Sequence, residues 1–245
     1  MEKYSLEKAQ IESEKIKRIA NETKEKRGES GEPTSEDYKK ADKAITSTNE
    51  SAESINRLEK FKDIKTPEEL SLFMKNNLHY GFIGKKDEKI YSPQHEGWRK
   101  GEQPEQKVQI PEELLESGFG TCWEQTELER QWFKNNNYEF KTFLLMFGPE
   151  ISQKNPAHTM LAFKKDDKWY WFENTLDDKN NKIHPFNSLN ELIEEVKGII
   201  TDNAVSNQAT EEDLEKFKLY EYDAPIHNGS TDEFLSQIIN KKKEF

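Results

Sequence analysis

One cysteine occurs in the 245-residue chain, Cys122, within the run GFGTCWEQ (118–125). A thiol becomes a strong nucleophile when its surroundings favour the thiolate. Thr121 and Glu124 have the S/T-x-x-E spacing of a capping box, which predicts a helix from Cys122 to about Asn136. Cys122 would then stand in the first helical turn, where unbonded amides and the helix dipole favour negative charge. Gly118 and Gly120 would let the backbone bend and a substrate approach closely. Such a nucleophile needs a base that also protonates the leaving group, and a third group to orient that base. Of the five histidines, His79, His95, His158, His184 and His227, His158 opens a clear strand pattern, HTMLAF. A second strand, WYWFEN (169–174), comes after the turn KKDDK. A hairpin turning about the 165/166 midpoint sets His158 opposite Glu173 with both side chains on one face. A turn centred one residue later sets Thr175 there instead. Helix cysteine, strand histidine and an acid on the adjacent strand would supply the nucleophile, the base and the orienting group that cysteine acyl transfer or hydrolysis needs.

The elements that must position these residues begin after residue 60. Residues 1–60 contain Tyr4 and Tyr38 as their only aromatics, so the core has to come from the chain beyond them. Residues 5–26 read as a charged helix, KRGESGEPTSED (26–37) as a break, and Ser35 as the cap of a second helix to about Phe61. Residues 1–62 are thus expected to be a charged helical arm, a hairpin suited to a protein partner or to self-association, and residues 66–245 a separate domain. Thr66-Pro67-Glu68-Glu69 starts a helix to about Asn77. Residues 79–109 read as irregular, and long irregular segments are often functional. Pro111–Ser117 is a short helix stopped by Gly118. Glu139–Phe147, His158–Phe163 and Trp169–Asn174 read as strands. Ser188 to Glu191 opens a helix to about Ile200, Thr210 caps one to Phe217, LYEYD (219–223) is a strand, and Ser230 with Glu233 caps the last helix. The fold class is α+β: a cysteine helix packed on an antiparallel sheet, with an N-terminal helical appendage.

Composition removes several alternatives. Lys and Arg number 37 against 48 Asp and Glu, a net charge of −11, which argues against nucleic acid and against anionic membrane surfaces as partners. A single cysteine leaves no intrachain disulfide and no multi-cysteine zinc site. No apolar run is long enough for a membrane span, and MEKYSLEKAQ lacks a signal-peptide core, so a cytoplasmic location is expected. No metal site is read: His79 and His95 lie far apart in a loop and there is no HExxH. GFIG (81–84) is too short to cradle a phosphate, and no cofactor is implied.

GTCWEQTELERQWFKNNNYEF followed by PAHTMLAFKKDDKWYWFENT resembles the core of the transglutaminase-like superfamily, in particular a bacterial branch of it. The resemblance covers roughly 66–240, is strongest at 118–176, and leaves out residues 1–60. It implies a papain/transglutaminase-like fold with Cys122 as nucleophile, His158 as base and acid, and Glu173 as the orienting acid. The superfamily usually carries Asp at the last position, and the neighbouring Asn174 is the alternative third member. The implied activity is protease, deamidase or transglutaminase chemistry on a protein or peptide substrate through a thioester. An oxyanion hole is also required, with the Cys122 amide as one donor and Gln94, Trp98 or Tyr80 as candidates for the second. Trp123 is a further pocket candidate. An arylamine N-acetyltransferase would use similar logic but is expected to place Arg-Gly-Gly before its cysteine, where this chain has Gly-Phe-Gly. The alternative from another class is a catalytically inactive transglutaminase-like binding module, with the helical arm as its partner or assembly element.

Overall fold

The computed structural model describes residues 14, 17–22, 34–86, 89–93, 104–147, 157–176, 183–206, 209–223, 230–240 and 243–244. The chain divides into two units, Met1–Asn56 and Arg57–Phe245. In the first, residues 17–22 are helical, and most of the helix expected over 5–26 lies outside the described residues. Helix α1 (Ser35–Lys62) comes next; its first bond runs from the Tyr38 N–H to the Thr34 carbonyl at 3.1 Å, so Thr34 takes the cap position expected of Ser35. The end of α1 belongs to the second unit, where Leu58 and Phe61 pack on the core. No described helix is long and apolar enough to cross a membrane.

The second unit is a mixed helix-and-sheet structure. Helix α2 (Pro67–Asn77) starts at Thr66 with a full capping box: Thr66 Oγ1 accepts from the Glu69 N–H at 3.1 Å, and Glu69 Oε2 accepts from the Thr66 N–H at 3.2 Å. The stretch expected to be irregular contains four short strands, β1 (His79–Tyr80), β2 (Phe82–Gly84), β3 (Ile90–Tyr91) and β4 (Gln106–Lys107). GFIG is therefore largely strand. Strands of two or three residues carry no period-two signal for a sequence pattern to reveal. Helix α3 (Pro111–Ser117) leads through β5 (Phe119–Gly120) into α4 (Cys122–Asn135). Then come β6 (Glu139–Phe147), β7 (Ala157–Lys165), β8 (Lys168–Phe172), β9 (Ile183–Phe186), α5 (Leu189–Ser206), α6 (Glu211–Leu214), β10 (Phe217–Tyr222), α7 (Thr231–Asn240) and β11 (Lys243–Glu244). The Thr210-capped helix ends at Leu214, short of the expected Phe217, because Phe217 begins β10 on the edge of β6.

Six strands form one antiparallel sheet in the order β11-β10-β6-β7-β8-β9. Alternation along the strands splits the core into two sides. Phe143, Leu145, Phe147, Met160, Ala162 and Trp171 face α5 through Leu192, Val196, Ile200 and Ala204. Leu161, Phe163 and Phe172 pack with Leu128, Trp132 and Phe133 of α4 and with Leu70 and Met74 of α2. Burying side chains of this size contributes roughly 1.5–3 kcal/mol each, against about 1 kcal/mol for a cap. Caps therefore set where α4 begins, and packing holds it on the sheet.

The β7–β8 hairpin turns at Asp166 and Asp167, both in the left-handed region (φ 50 and 60). Two consecutive positive φ values match the two-residue type I′ hairpin turn, whose twist suits the flanking strands and which Asp tolerates. Lys165 consequently pairs with Lys168 and Leu161 with Phe172. The turn is centred one residue later than the 165/166 midpoint, so the register directly opposite His158 passes from Glu173 to Thr175. A one-residue move of the turn shifts the partner by two, which preserves the face.

Candidate active site

Cys122 is placed by the chain on either side of it. Helix α3 ends at Gly118, whose φ of 74 forms a left-handed cap with its N–H bonded to the Leu114 carbonyl at 2.8 Å. The Arg57 Nε donates to the Leu115 carbonyl at 2.7 Å and its Nη2 to the Glu116 carbonyl at 2.5 Å, which satisfies the end of the same helix. Gly120 is needed for a reason other than substrate approach. A Cβ there would lie 2.6 Å from Leu114 Cδ1 and 3.2 Å from Glu124 Cβ, so the missing side chain makes room for α3 and α4. At Thr121, the Glu124 carboxylate accepts from the backbone N–H at 2.9 Å and from the hydroxyl at 2.7 Å. Gln106 Nε2 donates to Glu124 Oε1 at 2.7 Å. Burial outweighs these bonds and raises the Glu124 pKa. Cys122 itself is 4% exposed, just beneath the surface at the first helical position.

His158 is the second residue of β7, and the Thr126 hydroxyl ties α4 to the next residue by donating to the Thr159 carbonyl at 3.2 Å. His158 Nε2 lies 2.8 Å from Glu173 Oε2. Glu173 comes directly after the last residue of β8 and sits diagonal to His158 in the register, on the same face. Diagonal cross-strand neighbours are about 7–8 Å apart at the backbone, within reach of long side chains. This is where Glu differs from Asp in effect: the extra methylene spans the diagonal. The other carboxylate oxygen, Oε1, accepts from the Thr175 N–H (2.6 Å), the Thr175 hydroxyl (2.9 Å) and the Leu176 N–H (3.1 Å). Asn174 turns elsewhere. Its Nδ2 donates to Gln125 Oε1 at 2.6 Å, and Gln125 Nε2 donates to the Gly120 carbonyl at 2.9 Å. Asn174 is thus a strut between the end of β8 and the start of the cysteine helix.

Charge depends on these contacts. Burial alone would push the His158 pKa down; the Glu173 charge and hydrogen bonding with Cys122 and Glu173 overcome it and raise it to about 10. Burial would raise Glu173, and the His158 charge with the bonds from His158 and Thr175 overcomes it and lowers its pKa. Each partner's charge thus favours the charged form of the other. With Nε2 turned to Glu173, Cys122 is the other neighbour that acts on the ring. A protonated imidazole holds the proton a leaving group will need.

The remaining candidates separate. Tyr80 lies on β1, which pairs in parallel with β5 so that Tyr80 stands opposite Gly120. Burial, then the charges of Cys122, Glu124 and Glu173, push its phenol pKa far up. Trp123, expected to line a pocket, is 6% exposed and packs edge-on against Phe234 at 5.2 Å in the core between α4, β10 and α7. It lies about 100° around the helix from Cys122. Gln94 and Trp98 lie outside the described residues. Of the other histidines, His79 packs on Phe119 and His184 stacks on Trp171. Among the described residues no group of three His, Cys, Asp or Glu side chains is arranged to hold a metal ion.

A buried acid joins the site that sequence reasoning misses. Glu129 lies two turns along α4 from Cys122, 2% exposed, and its Oε2 has no hydrogen-bond partner. Burial and then the Glu173 charge raise its pKa well above the carboxylate range. Within the run EQTELER, Glu124, Glu127 and Glu129 are all buried. The one available signal is the seven-residue spacing from Cys122, which puts Glu129 on the same ridge as Thr126 and Phe133.

Scanned against protein-family models and against curated protein sequences, the chain matches none.

Proposed function

We propose that residues 66–245 form a papain/transglutaminase-like domain that performs cysteine-dependent acyl transfer or hydrolysis on amide bonds of a protein or peptide. The observation that carries the reading is the 2.8 Å contact of His158 with Glu173 beside a thiol at a helix start, three groups otherwise costly to bury together. In this reading the Cys122 thiolate attacks the acyl carbon, and the carbonyl electron pair moves to oxygen. Collapse of the tetrahedral species expels the amine, which takes the His158 proton, and leaves a thioester. Neutral His158 then draws a proton from water or from a second amine as it attacks the thioester. Water gives proteolysis or deamidation; an amine gives transamidation. Glu173, locked by Thr175 and Leu176, keeps the imidazole ring in place throughout.

The test is covalent trapping with p-nitrophenyl acetate followed by peptide mass spectrometry. Acetylated Cys122 is expected in the wild type, formed faster than on free N-acetylcysteine, with none in Cys122→Ser and little in His158→Ala. Added methylamine would then divert the acetyl group to N-methylacetamide if the site transamidates. A Cys122 that stays unmodified in the folded protein contradicts the enzyme reading and favours a binding module.

A further inference from the structure

We propose that Gln125 and Asn174 are positioning residues that act as one unit, a hydrogen-bonded relay that fixes Cys122 against the His158–Glu173 pair; this rests on the acyl-transfer reading. Asn174 follows Glu173 directly in the chain. Its Nδ2 donates to Gln125 Oε1 at 2.6 Å, and Gln125 Nε2 donates on to the Gly120 carbonyl at 2.9 Å. Gly120 is the second residue before the nucleophile. Two side chains thus connect the end of β8, where the orienting acid sits, to the backbone that enters the cysteine helix. That backbone also sets the direction of the relay. A carbonyl only accepts, so the Gln125 amide must turn its NH₂ to Gly120 and its oxygen to Asn174, which must then donate. Both residues are buried, so water does not replace a link that is lost.

Gln125 grips the approach to the thiol twice. Its backbone N–H donates to the Thr121 carbonyl at 3.1 Å while its side chain holds Gly120. The Gly120 carbonyl accepts a further bond from the Gly81 N–H at 3.4 Å, and the Thr121 N–H donates to Glu124 Oε2 at 2.9 Å. Glu124 belongs to the same helix and Gly81 follows the strand paired with β5, whereas Gln125 carries the hold across to β8. The next residue of α4 makes the companion tie, from the Thr126 hydroxyl to the Thr159 carbonyl at 3.2 Å. Consecutive residues of the cysteine helix are therefore bonded to the chain neighbours of Glu173 and of His158. Displacing reacting groups by about 1 Å is enough to slow a reaction by up to roughly 10²-fold.

The test uses Gln125→Met, which keeps the side-chain length and removes both links, together with Asn174→Ala and the double variant. Acetylation of Cys122 by p-nitrophenyl acetate and the pH profile of its alkylation by iodoacetamide are measured in each, with urea midpoints alongside. Each single variant is expected to acetylate about 10–10²-fold more slowly than wild type and to be alkylated at higher pH. The double variant is expected to be no slower than the slower single one, because a relay broken at either end is already lost. Wild-type rates and profiles in the single variants overturn the inference, whatever happens to the urea midpoints, since the two residues would then support the fold alone. A loss confined to one single variant, or losses that multiply in the double, also overturn it, because separate contacts would be at work. Wild-type acetylation no faster than N-acetylcysteine overturns the acyl-transfer reading itself, and the inference with it.

Discussion

His158 and Glu173 depend on each other more than either depends on the strands that carry them. Glu173 reaches across a diagonal to Nε2 while Thr175 and Leu176 hold its other oxygen. Glu173→Asp shortens the side chain by one methylene and has to surrender one set of contacts. The expected outcome is acetylation of Cys122 slowed by about 10²-fold, with the fold retained because the Asn174–Gln125 contact is independent of it. Stopped-flow release of p-nitrophenolate measures this. A hairpin with Glu173 directly opposite His158 would instead have tolerated Asp.

At the scale of elements, the α3–β5–α4 junction decides where the thiol sits. Gly120→Ala brings a Cβ against Leu114 inside a packed core, and overpacking of this kind costs about 1–3 kcal/mol. Leu114→Ala creates room beside the same atom, so the double variant should recover part of the loss that the two single changes add up to. Urea denaturation of the three variants measures the coupling. This junction is legible in the sequence because its signals are local: a Gly stop, a Thr-x-x-Glu start and a charged last turn. The β7–β8 register is not, because two strands of similar pattern flank KKDDK and nothing in it says which pair takes positive φ. Glu173 is nevertheless the right partner to consider, since the register differs by two and the face is kept. The short strands between residues 79 and 107 and the buried Glu129 stay hidden for a shared reason. Their environments are made by distant chain segments rather than by their sequence neighbours.

For the whole molecule, the site writes itself into the pH dependence of stability. His158, raised from 6.5 to about 10, contributes stability that is fully present below 6.5 and lost as pH rises through about 10. Glu173, lowered from 4.5, contributes stability present above 4.5 and lost as pH falls through its depressed value. Glu129 is a raised carboxyl: the unfolded chain releases its proton near 4.5 and the folded one only at higher pH, so stability declines as pH rises above 4.5. The stability these three groups contribute together is greatest near 4.5 and declines above it, more steeply once pH passes 6.5. Urea midpoints should therefore fall between about pH 6 and pH 9 in wild type. Glu129→Gln should lessen that fall and raise the midpoint at neutral pH, by on the order of 1–3 kcal/mol for an unpartnered buried acid. The net charge of −11 acts on the molecule as a whole and is common to wild type and variants to within one unit, so the comparison isolates the site.

The measurement that bears most directly on the central claim is the rate of iodoacetamide alkylation of Cys122 against pH, in wild type and in His158→Ala. An assembled thiolate–imidazolium pair predicts that the wild type is alkylated well below the free-thiol range, which centres near about 8.5, and that removing His158 shifts the profile to higher pH. Identical profiles in the two proteins, or a Cys122 that reacts only when the protein unfolds, would contradict a working Cys122–His158 pair.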